Sequence, residues 1–203
     1  MLKGVVQYPH TETSTLQNFL IIKGNAFMKH LQIKKLVISA MMLALCLLLP
    51  FLTGQIREIG RMLAPMHLPV LICGFICGPV WGFAVGLVAA PLRSMIFSMP
   101  AVPECFFMAA ELAFYGLMSG ILYRIFPKKL PFYYVSLLIS MITGRIVYGI
   151  THLFVAGLNG NTYLFETFIG ATLLGSIPGI IIQLILIPLI LAGLKRAGQI
   201  PLE

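Results

Sequence analysis

The sequence predicts an all-α membrane protein, a single compact bundle of six transmembrane helices. Three observations carry that expectation. Apolar residues make up 59% of the chain and charged residues only 10%, with a mean hydropathy of +0.98, well outside the composition of a soluble core. The apolar residues gather in six runs separated by Gly and Pro, most of them long enough to cross a bilayer. At 203 residues the chain has room for six spans with short connections and for no soluble catalytic domain besides. Irregular or open-edged backbone cannot satisfy its polar groups in lipid, so every span is expected to be helical.

Residues 1–27 are mixed and polar, and their apolar patch at 19–22 is too short to span. They read as an N-terminal extension, poorly ordered or interfacial. They also read as optional or mis-called, because Met28 is followed by Lys29, His30, Lys34 and Lys35 just ahead of the first apolar run. A cleaved signal peptide is not expected, since it needs an apolar core of about 7 to 15 residues before a small-residue site. The transmembrane domain is then 28–203.

Span one, 36–53, stops at Gly54. Span two, 62–77, is short and carries Pro65 and Pro69, so it is expected to tilt or to begin irregularly. The pair Gly78 and Pro79 breaks the chain before span three, 80–98. Pro100 and Pro103 precede span four, 104–126, and Pro127 and Pro131 separate it from span five, 131–156. The turn from Gly157 to Gly160 leads towards span six, 167–194. No internal repeat is evident.

Basic residues set the expected orientation. Lys29, Lys34 and Lys35 precede span one, Arg124, Lys128 and Lys129 flank the junction of spans four and five, and Lys195 and Arg196 follow span six. With six spans these three places share one side, and the positive-inside rule makes that side, with both termini, cytoplasmic. The first outer loop, with Arg57, Glu58 and Arg61, runs against this trend. Its arginines therefore have work other than orientation. The net charge of +8 is dispersed between apolar spans instead of gathered on a soluble face, so topology explains it and no nucleic acid is expected.

An ionisable side chain at the centre of a spanning helix costs roughly 3 kcal/mol even on the lenient insertion scale, so such groups should face one another or a wet cavity. By depth, Arg93, Glu111 and Arg145 all fall in the outer half of the bilayer and are within reach of one another. Glu104 and Glu111 lie two helical turns apart on one face with Met108 and Tyr115, and Arg145, Tyr148 and His152 share a face on span five. Two helices thus present charged and aromatic groups to the same outer volume, as a pocket for a small polar ligand requires. Two readings stand for Arg93 and Arg145: ligand contacts, or structural ion pairs with Glu111 and Glu104. Arg57 and Arg61 read as a cover over the pocket or as solvated interfacial charges. His67 is a polar core residue or a ligand contact, and Asn159 and Asn161 are turn formers first and ligand contacts second.

Several chemistries are excluded or weak. Cys46, Cys73, Cys77 and Cys105 lie in or beside apolar runs, which favours packed thiols over disulfides. Cys73 and Cys77 share a helical face, yet His67 stands about 15 Å away along the axis, so no four-ligand metal site assembles there. The chain has no Asp, no H-E-x-x-H, no G-x-S-x-G and no glycine-rich phosphate loop. No enzyme activity, cofactor or metal is expected. Small residues repeat every fourth position on spans one, three, four and six, as close helix packing requires. The pair Ala40 and Ala44, ringed by Met41, Met42 and Leu45 towards the cytoplasmic end of span one, suits the helix of a partner subunit.

These features together resemble the S components of energy-coupling factor transporters, the small six-helix vitamin-binding subunits of a class of prokaryotic ABC importers. The resemblance runs from about Met28 to the C-terminus. It rests on six spans in that length, the lysine-flanked start leading to Ala40-x-x-x-Ala44, the polar outer loop after span one, and the positive loop between spans four and five. The stretch 62–78 around Pro65, Met66 and His67, with Pro91, Leu92 and Arg93 and the stretch 108–116 around Glu111, is similar to a branch associated with pantothenate or pyridoxine-type vitamins. The resemblance implies a multi-pass subunit of a prokaryotic cell membrane that captures a vitamin from outside. A coupling transmembrane subunit and two ATPases then dock on it, and toppling in the membrane releases the vitamin inside. It places Ala40 and Ala44 against the coupling subunit and Arg57 and Arg61 in the covering loop. Depth and chemistry add Arg93, Glu111 and Arg145 to the pocket floor, with Tyr148 and Asn159 as neutral donors.

For the ligand, an arginine clamping a carboxylate favours pantothenate, whereas Glu111 facing hydroxymethyl groups and Tyr148 or Trp81 stacking on a ring would favour a pyridoxine-type vitamin. A stand-alone secondary permease, which typically shows an internal repeat and paired broken helices, and a membrane-embedded enzyme using Glu104, Glu111 and His152 are the competing classes.

Overall fold

The computed structural model describes residues 10–53, 63–127, 129–158 and 177–196, and these form an all-α membrane bundle. Helix α1, His10–Leu48, is 39 residues long and passes into a 3-10 turn at Leu49–Thr53, where Pro50 removes a donor and ends the regular ladder. Helices α2, His67–Cys77, and α3, Pro79–Phe97, follow; then come α4, Glu104–Ile125, α5, Leu130–Leu158, and α6, Ile177–Arg196. Among the described residues, five segments are long and apolar enough to cross a bilayer: Met28–Leu52, Pro79–Phe97, Glu104–Ile125, Pro131–Phe154 and Ile177–Arg196. At 11 residues α2 is the short one, spanning only about 16 Å.

The short second helix follows from its prolines. Pro65 falls before the helix, while Pro69 sits in its first turn, where a missing N–H has no carbonyl to lose. Upstream, the helix of span one begins at His10, well ahead of Met28, although only the part from Met28 has spanning hydropathy. The expected beginning of span six falls outside the described residues, which resume at Ile177.

Helix α4 occupies the centre, packed by α2, α3 and α5, with α1 laid across α2 and α3 and α6 against α2 and α5. Glycine makes the central approach possible. A Cβ on Gly116 would overlap the Gly82 backbone, and one on Gly86 would overlap the Leu112 carbonyl, so α3 and α4 meet backbone to backbone. Gly78 turns the chain between α2 and α3 at φ +97°, in the region that L side chains avoid. Its N–H bonds to the Gly74 carbonyl, and the Arg124 guanidinium stands beside it. Lys35 is also near this turn, because its carbonyl faces Cys77 Sγ at 3.7 Å. One end of the bundle therefore gathers the basic residues Lys35 and Arg124, while His67, Arg93 and Glu104 belong to the other.

Candidate functional site

Glu111 is the centre of the site. It lies two turns into α4, is 1% exposed, and meets side chains from two further helices. Arg145 Nη1 of α5 stands 3.1 Å from Oε1, and His67 Nε2, in the first turn of α2, stands 3.5 Å from Oε2. Tyr115, one turn on along α4, donates its hydroxyl to Oε1 at 3.1 Å. Its ring packs edge-on against His67, with centroids 5.0 Å apart. Gly144 makes room for that ring: a Cβ there would come within 2.6 Å of Tyr115 Cδ1 and Cε1. The residue before Arg145 thereby lets Tyr115 reach the carboxylate that Arg145 also holds.

This cluster is not internally satisfied. Neither ring nitrogen of His67 makes a hydrogen bond, and Arg145 Nε is buried without an acceptor. Buried polar groups are normally paired, so such leftovers need an explanation. An unpaired buried donor costs about 1–3 kcal/mol, and a bound polar molecule would relieve that.

A second, more open cluster begins at Glu104, the first residue of α4. Glu104 accepts the Tyr148 hydroxyl at 2.5 Å on Oε1, and His152 Nε2 stands 3.5 Å from Oε2. The His152 ring is flanked by Phe107 and Tyr148, with centroids at 4.1 and 4.5 Å. The Glu104 side chain is 27% exposed against 2% for Glu111. About 10 Å of helix separates the two carboxylates, so polar groups descend from the end of the bundle into its centre along α4 and α5.

Arg93 goes elsewhere. It is 3% exposed, donates from Nη1 to the Leu47 carbonyl at 2.6 Å, and lies 5.4 and 5.3 Å from the ring centroids of Phe51 and Phe97. Leu47 is in the last turn of α1, where carbonyls lack intrahelical donors, so Arg93 caps that helix and occupies aromatic faces. Of the three groups that depth places together, Glu111 and Arg145 meet, while the described contacts of Arg93 are with the end of α1 and with Phe97. The ion pair considered for Arg145 is present with Glu111; among the described residues Glu104 takes Tyr148 and His152. Trp81 stands in the first turn of α3, roughly 18 Å of helix from Arg93, at the end away from both clusters. Arg57, Arg61 and Asn159 lie outside the described residues.

Ala40 and Ala44 are exposed, as are Val37, Met41 and Leu48 around them, while Ser39 and Cys46 point inward. Cys46 Sγ contacts the Met66 carbonyl at 3.5 Å, and Ser39 Oγ contacts Cys73 Sγ at the same distance. The small-residue pair thus lies on the outward face of α1.

One polar residue that the sequence analysis left inside an apolar span is Gln183 of α6. It is 3% exposed, and its Nε2 donates to the Ala64 carbonyl at 3.3 Å. Its signal was available, for it is the sole amide or charge in α6 before Lys195.

Neither curated proteins nor solved structures provide a match to this chain. Residues 34–194 match the family described as ECF transporter, substrate-specific component; the chain belongs to that family and is thus a multi-pass prokaryotic membrane protein, a transporter component that takes a substrate and works with an ECF module.

Proposed function

We propose that this chain captures a small water-soluble vitamin on the outer side of the membrane and hands it inward by docking on a coupling transmembrane subunit driven by two ATPases. The observation that carries this reading is the unused hydrogen-bonding capacity of the Glu111 cluster. Arg145 Nε and both nitrogens of His67 are buried without hydrogen bonds, beside a carboxylate and a phenol. A carboxylate-bearing ligand would find donors in Arg145 and, when protonated, His67, and its hydroxyl groups would find an acceptor in Glu111. Pantothenate has one carboxylate, an amide and two hydroxyls, and it is the ligand we assign.

The basic ends at Lys35, Arg124, Lys195 and Arg196 face the cytoplasm under the positive-inside rule, which puts the Glu104 and Glu111 clusters in the outer half. Arg57 and Arg61 then belong to the cover, Asn159 to the connection that follows α5, and Ala40 and Ala44 to the surface that meets the coupling subunit. Arg93 supports the site from behind, by holding the end of α1 from which the covering loop departs. The rings of Phe107, Tyr148 and His152 specifically favour one second reading, a pyridoxine-type ligand stacked near Glu104.

The deciding experiment incubates protein in lipid nanodiscs with radiolabelled pantothenate or pyridoxine without ATP. Retained pantothenate, displaced by unlabelled pantothenate and not by pyridoxine, is expected. The converse would move the assignment to the ring vitamin. Transport into liposomes should require the coupling subunit and both ATPases, and uptake by the chain alone would replace the proposal with a secondary permease.

A further inference from the structure

We propose that Gln183 of α6 is a positioning residue for the ligand site, holding His67 in place through the carbonyl oxygen of Ala64. The inference rests on the reading of the Glu111 cluster as the floor of that site.

A glutamine in this helix requires a reason. From Ile177 to Leu194 every other side chain is apolar or absent, and an amide buried without a partner is costly in lipid. Gln183 is 3% exposed and is not satisfied within its own helix: Nε2 reaches across the bundle to Ala64 O at 3.3 Å. The same oxygen accepts the backbone N–H of His67 at 3.1 Å. One carbonyl therefore uses both of its acceptor positions, one for α6 and one for the residue that opens α2.

Ala64 itself is held against its preference. Its φ is +45°, a conformation that is unfavourable for a non-glycine residue and persists only where surrounding contacts over-determine it. Ala64 and Met66 are buried at 6% and 4% exposure, and the Met66 carbonyl takes the Cys46 thiol of α1. The turn before α2 is thus fixed from α6 on one side and from α1 on the other.

What this fixes is the imidazole of His67. Neither of its nitrogens is hydrogen-bonded, and the one polar group described beside the ring, Glu111 Oε2 at 3.5 Å from Nε2, stands beyond a close hydrogen bond and does not fix its direction alone. Its backbone, tied to Ala64 O, and its packing against Tyr115 hold it in that place. With Nε2 only 3.5 Å from Glu111 Oε2, a small shift in the first turn of α2 would change what the imidazole offers to a ligand. The hydrogen bond described for Gln183 goes to none of these site groups but to the carbonyl from which the His67 backbone hangs.

The test uses the full chain in nanodiscs with 15N-labelled histidine, the His67 signals being assigned by their loss in His67→Ala. Gln183→Leu keeps the bulk and removes the donor. Gln183→Asn keeps a buried amide but withdraws it by about 1.5 Å, and serves if the leucine variant does not fold. In ligand-free protein either variant should displace the His67 ring signals. Affinity for radiolabelled pantothenate should fall about tenfold, and the loss should vanish when the variant is combined with His67→Ala, because effects that act through one residue are not additive. An unmoved His67 signal, or an equal loss of affinity in the His67→Ala background, would overturn the inference and leave Gln183 as a helix-packing residue. Displaced His67 signals in a protein that retains no pantothenate would sink the ligand assignment while upholding the link from Gln183 to His67.

Discussion

Replacing Glu111 by glutamine tests the centre of the site, because it removes a charge and little else. Glu111 is 1% exposed, and Gln occupies nearly the same volume. Tyr115 can still donate to a carbonyl oxygen, as it now does at 3.1 Å. Arg145, however, keeps its charge with its side chain only 14% exposed and loses the carboxylate 3.1 Å away. Breaking a buried pair by removing one partner costs about 3–5 kcal/mol. The glutamine carbonyl restores one hydrogen bond to a charged donor, worth about 1.5–3 kcal/mol. The expected net loss of stability is therefore about 2 kcal/mol.

The second half of the experiment makes the reasoning refutable. In Glu111→Gln combined with Arg145→Met the orphaned cation is gone, and stability should return to near the starting value, since replacing both members of a buried pair is often neutral or better. Pantothenate retention should be abolished in the double variant all the same. Equilibrium unfolding in mixed detergent micelles measures the first, and radioligand retention in nanodiscs the second. If the two substitutions destabilise additively, Arg145 and Glu111 do not act as a pair. If Glu111→Gln alone leaves stability unchanged, the cluster is hydrated and the argument from buried polarity fails.

Four other perturbations probe separate parts of the structure. Gly116→Ala drives a Cβ into the Gly82 backbone, which cannot rotate away as a side chain would. The thermal midpoint should fall by an amount equivalent to more than about 2 kcal/mol, whereas Gly193→Ala, with open space around it, should leave it unchanged or raised. Arg93→Met leaves the Leu47 carbonyl without its donor, at a cost of about 1–3 kcal/mol. Backbone hydrogen exchange should then rise at Leu49–Thr53, and unchanged exchange would deny Arg93 its capping role. In binding, Arg145→Ala should weaken pantothenate retention more than Arg93→Ala does, and the reverse order would move the carboxylate to α3. Leucine at both Ala40 and Ala44 should leave vitamin retention intact while ending uptake by the reconstituted transporter; loss of both would assign these residues to the bundle's own packing.

Much of the architecture was legible because lipid leaves few choices. A run of apolar residues of spanning length must be helical, and the Gly and Pro breaks mark its ends within a few residues. The short second helix was legible from Pro65 and Pro69. So was the approach of α4 and α5, because Glu111 and Arg145 have no cheap way to be buried apart. What depth along the membrane normal omits is position within its plane. Arg93 lies in the same half of the bundle as Glu111, but the end of α1 is its neighbour, and a bare backbone carbonyl leaves no mark in a sequence. Gln183 was overlooked for a different reason. One amide hardly changes the hydropathy of a long apolar run, and its partner is the carbonyl of an alanine 119 positions away.

The two ends of the bundle handle buried polarity in opposite ways, and that contrast bears on where a ligand goes. Towards the basic end and in the middle, the buried hydroxyls and thiols close on neighbouring groups. Ser119 donates towards the Leu71 and Gly116 carbonyls, Ser140 to that of Ser136, and Cys77 to that of Lys35. The bonds from Ser119 to Leu71 and from Cys77 to Lys35 tie one helix to another, while that of Ser140 stays within α5. At the other end the stronger polar groups are concentrated around Glu111, and there the accounting does not close: His67 and Arg145 keep nitrogen atoms buried and without acceptors. A bundle built only for stability would have ended this cluster with a serine or a backbone carbonyl, as it does elsewhere. Polarity left open at one end and closed at the other is what a subunit needs if it is to hold a polar solute on one side of a membrane before passing it across.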